Sequence, residues 1–217
     1  MTSQAVLRAM RAEDMPRIER IVRRTWSYDD QVSERTAELL GRIDTCNCLS
    51  RRTYMRVADI DGDVAGFIVV NDLRNPRRDM RLRAIQAVSM LRLLASRDGR
   101  EGLTMFRRYM ATDRRLDNDA REQGKHYDGE IVLFIVNDEY RGYGLGRLLF
   151  DDALRHFREI GVEDFFLYTD TDCDFGFYEH RGMSRRAARS VNITLGGRAD
   201  STEMYIYDDV VSRQLGN

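Results

Sequence analysis

The chain has 217 residues, 42% of them hydrophobic and 33% charged, with only two prolines, a composition that supports a buried core and excludes long disordered linkers. No apolar run approaches the roughly 18 residues needed to span a bilayer, and the opening "MTSQAVLRAMRAED" lacks an apolar signal core, so a cytoplasmic protein with no membrane partner is expected. The net charge of −1 conceals a segment, residues 73–126, with fourteen basic against seven acidic side chains; Lys125 is the chain's only lysine, so the basic residues are almost all arginine.

In chain order, Val6 to Arg11 reads as extended. Asp14 then caps a helix on which Met15, Ile18, Ile21 and Val22 recur on one face. A second helix is expected over about Asp30 to Ile43. "TYMRVADIDGDVAGFIVVND" is a hairpin, because Asp61 and Gly62 stand as a two-residue turn between β-branched runs. Residues 73–126 interrupt the pattern with two helical stretches, the first amphipathic through Met80, Ile85, Val88, Leu91 and Leu94. They read as a helical insertion, and a small cap is an equal alternative. The arginine surplus there reads as a solvated face before it reads as a recognition surface.

Beyond the insertion, "EIVLFIV" (130–136) suits a buried central strand. Leu145, Leu148, Leu149, Ala153, Phe157 and Ile160 then repeat at helical spacing, and Gly161 provides the stop. "DFFLYT" (164–169) is the next strand. A short helix from Asp174, which caps it, to Arg181 follows, and a last hairpin, 188–195 and 202–210, turns at Gly196 and Gly197. The three cysteines, Cys46, Cys48 and Cys173, are odd in number. Neither they nor His126, His156 and His180 stand at zinc spacing, so no disulfide framework and no metal are expected.

The stretch "RGYGLG" (141–146) lies between the buried strand and the following helix. Such a turn leaves the first helical amides unpaired, and glycine admits a ligand close to bare backbone. With the positive end of the helix dipole this makes an anion site, although a tight turn without a ligand fits the glycines equally well. A Walker loop would need Lys-Ser/Thr after Gly146, where Arg147 and Leu148 stand. The dinucleotide fingerprint would need glycine at Arg147 or Leu149.

The Arg141-Gly142-Tyr143-Gly144-Leu145-Gly146 run resembles the Arg/Gln-x-x-Gly-x-Gly/Ala signature of the GCN5-related N-acetyltransferase (GNAT) superfamily. "LRAMRAEDMPRI" and "FYEHRGM" (177–183) are similar to the family's opening strand and its Phe-Tyr-x-x-x-Gly element, and a final hairpin closes both. The resemblance covers nearly everything except 73–126. It implies an α/β (α+β) fold, a mixed central sheet flanked by helices, and one GNAT domain over 1–217 with the helical insertion between the third and fourth strands.

The resemblance also implies acetyl-CoA as co-substrate. The amides of the glycine turn would hold its pyrophosphate, and backbone groups around Phe134, Ile135 and Val136 would pair with pantetheine. Tyr178 is the expected acid for the departing thiolate, with a packed helix tyrosine as the alternative. Glu130 is the expected base, a role it shares with an ordinary strand-end glutamate or a water chain. Asp174 stands where relatives place an asparagine on pantetheine, and an ionised carboxylate cannot donate that hydrogen bond. Cys173 reads as a packed thiol, which favours direct transfer over an acylated enzyme.

The acceptor is expected to be a small-molecule or peptide amine. Its pocket would come from Trp26, Tyr28, the insertion and the last hairpin, with Asp170, Asp172 and Asp174 able to attract a cation at the cleft mouth. A non-catalytic CoA-binding or regulatory module is the competing reading. Nucleic-acid binding through the arginine-rich insertion ranks behind both, for want of an aromatic platform. A homodimer stays open.

Overall fold

The computed structural model describes residues 5–216. The first strand, β1 (Val6–Arg8), leads into α1 (Met15–Thr25), which buries Ile18 and Val22. Asp14 occupies the cap position without capping through its side chain. Its buried carboxylate instead accepts from both terminal nitrogens of Arg8, at 2.7 and 2.9 Å, and from the Arg11 amide at 2.7 Å. The helix expected over 30–43 is two helices, α2 (Tyr28–Gln31) and α3 (Glu34–Leu49). The break is local chemistry: Val32 is extended, and the Ser33 hydroxyl lies 2.6 Å from an Asp98 carboxylate oxygen and 3.1 Å from the Thr36 hydroxyl.

The hairpin is β2 (Tyr54–Ile60) and β3 (Asp63–Asp72), turned where Asp61 and Gly62 adopt φ of 54° and 87°, as a primed two-residue turn requires. Between β3 and β4 (Gly129–Val136) run α4 (Met80–Leu93) and α5 (Arg97–Glu122). On α4 the expected apolar face is turned outward. Met80, Ile85, Val88, Leu91 and Leu94 are the exposed residues, whereas Leu82, Ser89 and Leu93 are buried. Apolar residues occur all around this helix, so periodicity alone cannot say which side packs.

The chain continues through α6 (Leu145–Glu159), β5 (Asp164–Asp170), α7 (Gly176–His180), the long hairpin β6 (Ser184–Leu195) and β7 (Arg198–Val210), and α8 (Val211–Leu215). The seven strands form one sheet in the order β1-β2-β3-β4-β5-β7-β6, in which every pair is antiparallel except β4 and β5. On one face α6 buries Leu149, Phe150, Ala153, Leu154 and Phe157 against Ile68, Phe165 and Tyr207. At about 1.5–3 kcal/mol for each large side chain removed from water, this helix is a major anchor of the sheet. On the other face α1 and α3 cover β2, β3 and β4, while α5 lies with α3 over β5, β6 and β7. No helix among the described residues is long and apolar enough to cross a membrane.

Two features of β4 position the site. Its pairing with β3 slips at Val69/Val70, where Leu133 and Ile131 are the successive partners and Val132 is the extra residue, a bulge that bends the strand. Its parallel pairing with β5 covers only Gly129, Glu130 and Ile131, opposite Phe165, Phe166 and Leu167. Gly129 lets α6 pack closely on the start of β4, because a Cβ there would come within 2.7 Å of Val162 and 2.9 Å of Phe157. From Val132 onward the edge of β4 facing β5 has no strand on it.

Candidate active site

The opening between β4 and β5 leads into one cavity of about 1000 Å³. At one end stands the glycine turn. Gly142 and Gly144 take φ of +85° and +73°, a left-handed conformation that side chains with a Cβ resist. The turn delivers the chain into α6 with Gly144 as its cap. The amides of residues 142–147 donate to no acceptor among the described residues, as expected of a first helical turn with no capping side chain. Gly146 has an ordinary φ, and a Cβ there would meet Phe134 and Phe177 only at 3.7 Å. Neither backbone nor packing requires glycine there; its bareness widens an anion cradle at a helix N-terminus. Arg141, beside the cradle, pairs with Asp138 at 2.7 Å on the surface.

The cavity runs along β4 from Val136 to Ile131 and past Phe177, Tyr178, Cys173 and Asp174. Tyr178 is 8% exposed, and its hydroxyl has no hydrogen-bond partner among the described residues. Burial, with the Asp174 and Asp170 carboxylates behind it, raises its pKa and keeps the phenol protonated. Burial likewise pushes the Cys173 thiol up to about 12, which suppresses the thiolate that a nucleophile requires. Asp174 lines the cavity but does not cap α7, which begins two residues later with Phe175 at the cap.

Glu130 is placed differently from a base open to substrate. It is 2% exposed, and both its carboxylate oxygens lie 2.6 Å from Arg51 Nη1. The cavity wall starts at the next residue, Ile131, while Arg51 itself reaches the wall. Among the residues that line the cavity is a carboxylate absent from the sequence expectations, Asp113 on α5. Its Oδ1 is wholly buried and has no hydrogen-bond partner. Burial, reinforced by the Glu130 charge and partly offset by Arg51, pushes its pKa up to about 7.

The far end of the cavity is built by α2, α3 and α5. Met105, Phe106, Tyr109, Met110 and Asp113 follow helical spacing and line it from the insertion; Trp26, Tyr28, Asp44 and Asn47 line it from the other side. Asp44 accepts a 2.6 Å hydrogen bond from the Tyr28 hydroxyl, yet burial still pushes its pKa up to about 7. Asp44 and Asp113 retain accessible surface because they face this cavity. Asp170 at the end of β5, Asp172 in the loop after it and Met204 on β7 complete the wall. The sequence expectations thus named Trp26, Tyr28 and Asp170 but missed Asp44, Arg51, Tyr109 and Asp113. Asp44 beside the buried Leu40, Ile43, Thr45 and Cys46 was the available signal, since a carboxylate there needs a reason.

A family model described as "Acetyltransferase (GNAT) family" matches residues 102–183, from α5 through β4, the glycine turn, α6 and β5 to the end of α7. Residues 102–183 thus resemble the GNAT acetyltransferases in sequence. Solved acetyltransferase structures share the fold of the chain. An N-acetyltransferase from Staphylococcus aureus Mu50 aligns over 94% of this chain and 100% of its own, at 15% identity and TM-score 0.53. The PaiA N-acetyltransferase from Thermoplasma acidophilum, solved in complex with coenzyme A, aligns over 95% and 99%, at 14% identity and TM-score 0.52. In sequence, a mycothiol acetyltransferase from Geodermatophilus obscurus is 32% identical over 68 residues, which is 30% of this chain and 22% of that protein. The match therefore spans about a fifth of that relative.

Substitution at Gly146 tests the cradle. Gly146→Val is expected to keep the wild-type melting temperature, because a Cβ there meets only ordinary contact distances. Its branches occupy the anion cradle, so CoA affinity by titration calorimetry is expected to fall about tenfold or more.

Proposed function

We propose that this chain transfers an acetyl group from acetyl-CoA to a primary amine of a small molecule or peptide, by direct attack in a ternary complex. The observation that carries this reading is the single cavity joining the unpaired amides of 142–147 to the pocket beyond Tyr178. Those amides would hold the pyrophosphate. The strand-free edge of β4 at Phe134, Ile135 and Val136 would pair with the pantetheine arm, as an added strand does with an open sheet edge. Acetyl-CoA supplies an already activated acyl group, so the protein's work is positioning and proton transfer.

As the carbon–nitrogen bond forms and the carbon–sulfur bond breaks, one proton must leave the ammonium and one must reach the sulfur. Tyr178 fits the second task, being protonated, partnerless and in the cavity wall. For the first we favour Asp113 over Glu130. Asp113 lines the cavity and titrates near neutrality, where a general base works best. Glu130 would first have to break its buried ion pair with Arg51. On this reading Glu130 and Arg51 act on Asp113 through their charges, and Glu130→Gln leaves turnover within about tenfold of wild type in a steady-state assay.

Thiol release from acetyl-CoA against a panel of amines and short peptides tests the function. Amine-dependent release with an acetylated product supports it. CoA binding without release across the panel would instead favour the non-catalytic module.

A further inference from the structure

The chain spends its arginines freely on surface carboxylates, with ion pairs along α1, α5, α6 and the β6–β7 hairpin. Three carboxylates at the far end of the cavity lack such a partner, and of these Asp170 accepts from the Asp172 and Cys173 amides at 3.0 and 3.1 Å. Asp44, Asp113 and Asp170 form no ion pair among the described residues. The one arginine that lines this end, Arg51, is already engaged by Glu130. Uncompensated carboxylates in a partly dry pocket are costly, and a cation supplied by a ligand removes that cost.

The details point to two separate cation positions. Asp113 Oδ1 is buried without a partner on α5. Asp44 lies on α3, with one oxygen accepting from Tyr28 and the other without a partner among the described residues. Around them stand the rings of Trp26, Tyr28, Phe106 and Tyr109, surfaces that attract a cation and pack an aliphatic chain. Phe106, Tyr28, Met105 and Asp170 are each at most 8% exposed. The recess therefore has a buried floor and half-buried walls, Trp26, Asp44, Tyr109 and Asp113 among them, a shape that suits a slim molecule.

Resting on the acetyltransferase reading above, we infer that the acceptor is a small aliphatic amine with a second cationic centre. The reacting amine is delivered at Asp113, and the distal ammonium is held by Asp44 among the aromatic rings of the insertion and α2. Asp44 is a specificity-determining residue, and the insertion supplies the wall that makes a dication fit.

The test compares α,ω-diamines from 1,3-diaminopropane to 1,6-diaminohexane with n-alkylamines of matched length. Binding to the CoA-saturated protein is measured by calorimetry, and turnover is measured separately. At least one diamine is expected to bind about tenfold or more tightly than its monoamine partner. Asp44→Asn should erase that preference, with its melting temperature measured alongside so that loss of the fold is told apart from loss of the site. Equal affinities for diamines and monoamines, or a preference intact in folded Asp44→Asn, would overturn the inference. Because binding is read without turnover, diamine selectivity without thiol release would count against the enzyme reading and leave this one standing.

Discussion

Tyr178→Phe is expected to lower kcat by about 10²-fold or more, the scale of a lost general acid, with acetyl-CoA affinity nearly unchanged. The substitution removes one oxygen and keeps the ring, which packs among Phe150, Phe177 and Tyr207. The hydroxyl makes no hydrogen bond among the described residues, so its loss leaves no orphaned partner and costs little stability. The split between kcat and affinity is therefore diagnostic, because a merely structural tyrosine would change melting temperature before it changed turnover. Pre-steady-state acetyl transfer beside a CoA titration measures both, and wild-type kcat in Tyr178→Phe would remove the assignment.

Asp113→Asn should be the second large effect, lowering kcat/KM about 10²-fold for every amine, monoamines included, and flattening the limb of the pH–rate profile near neutrality. The same variant should be more stable than wild type above neutral pH. The folded protein holds Asp113 near 7 against an ordinary value of 3.8, so between those two pH values the folded state binds more protons than the unfolded one. The stability penalty of this carboxylate is absent below about pH 4, grows through that window and is complete above about 7. The melting-temperature gain of Asp113→Asn should follow the same course, vanishing at low pH. A gain in stability joined to a loss of activity is the signature of a carboxylate kept for chemistry. A variant destabilised at pH 8, or fully active, would contradict it.

These two residues also show how far the sequence carries. Gly142 and Gly144, between an apolar run and an amphipathic helix, were legible because their left-handed backbone restricts which residues such a turn accepts. That Tyr178 would face the cavity was legible through "FYEHRGM", and the hairpin turn through Asp61-Gly62. Asp113 was not, because its meaning depends on α5 crossing to the far side of the cavity beside Arg51, a contact between segments some 60 residues apart in sequence. Glu130 illustrates the converse. A glutamate opening a buried strand suggested a base, but Arg51, 79 residues away, takes both its oxygens. The exposed face of α4 was misread for a related reason: a helix apolar on all sides has no preferred inward face until its neighbours are known.

The most direct test of the central claim is a crystal structure with CoA and a diamine bound together. The diphosphate should accept from the amides of residues 142–147, the sulfur should lie within hydrogen-bonding reach of the Tyr178 hydroxyl, and the diamine should fill the recess between Asp113 and Asp44. A diphosphate bound away from the glycine turn, or a sulfur remote from Tyr178, would contradict the claim that this one cavity joins donor to acceptor.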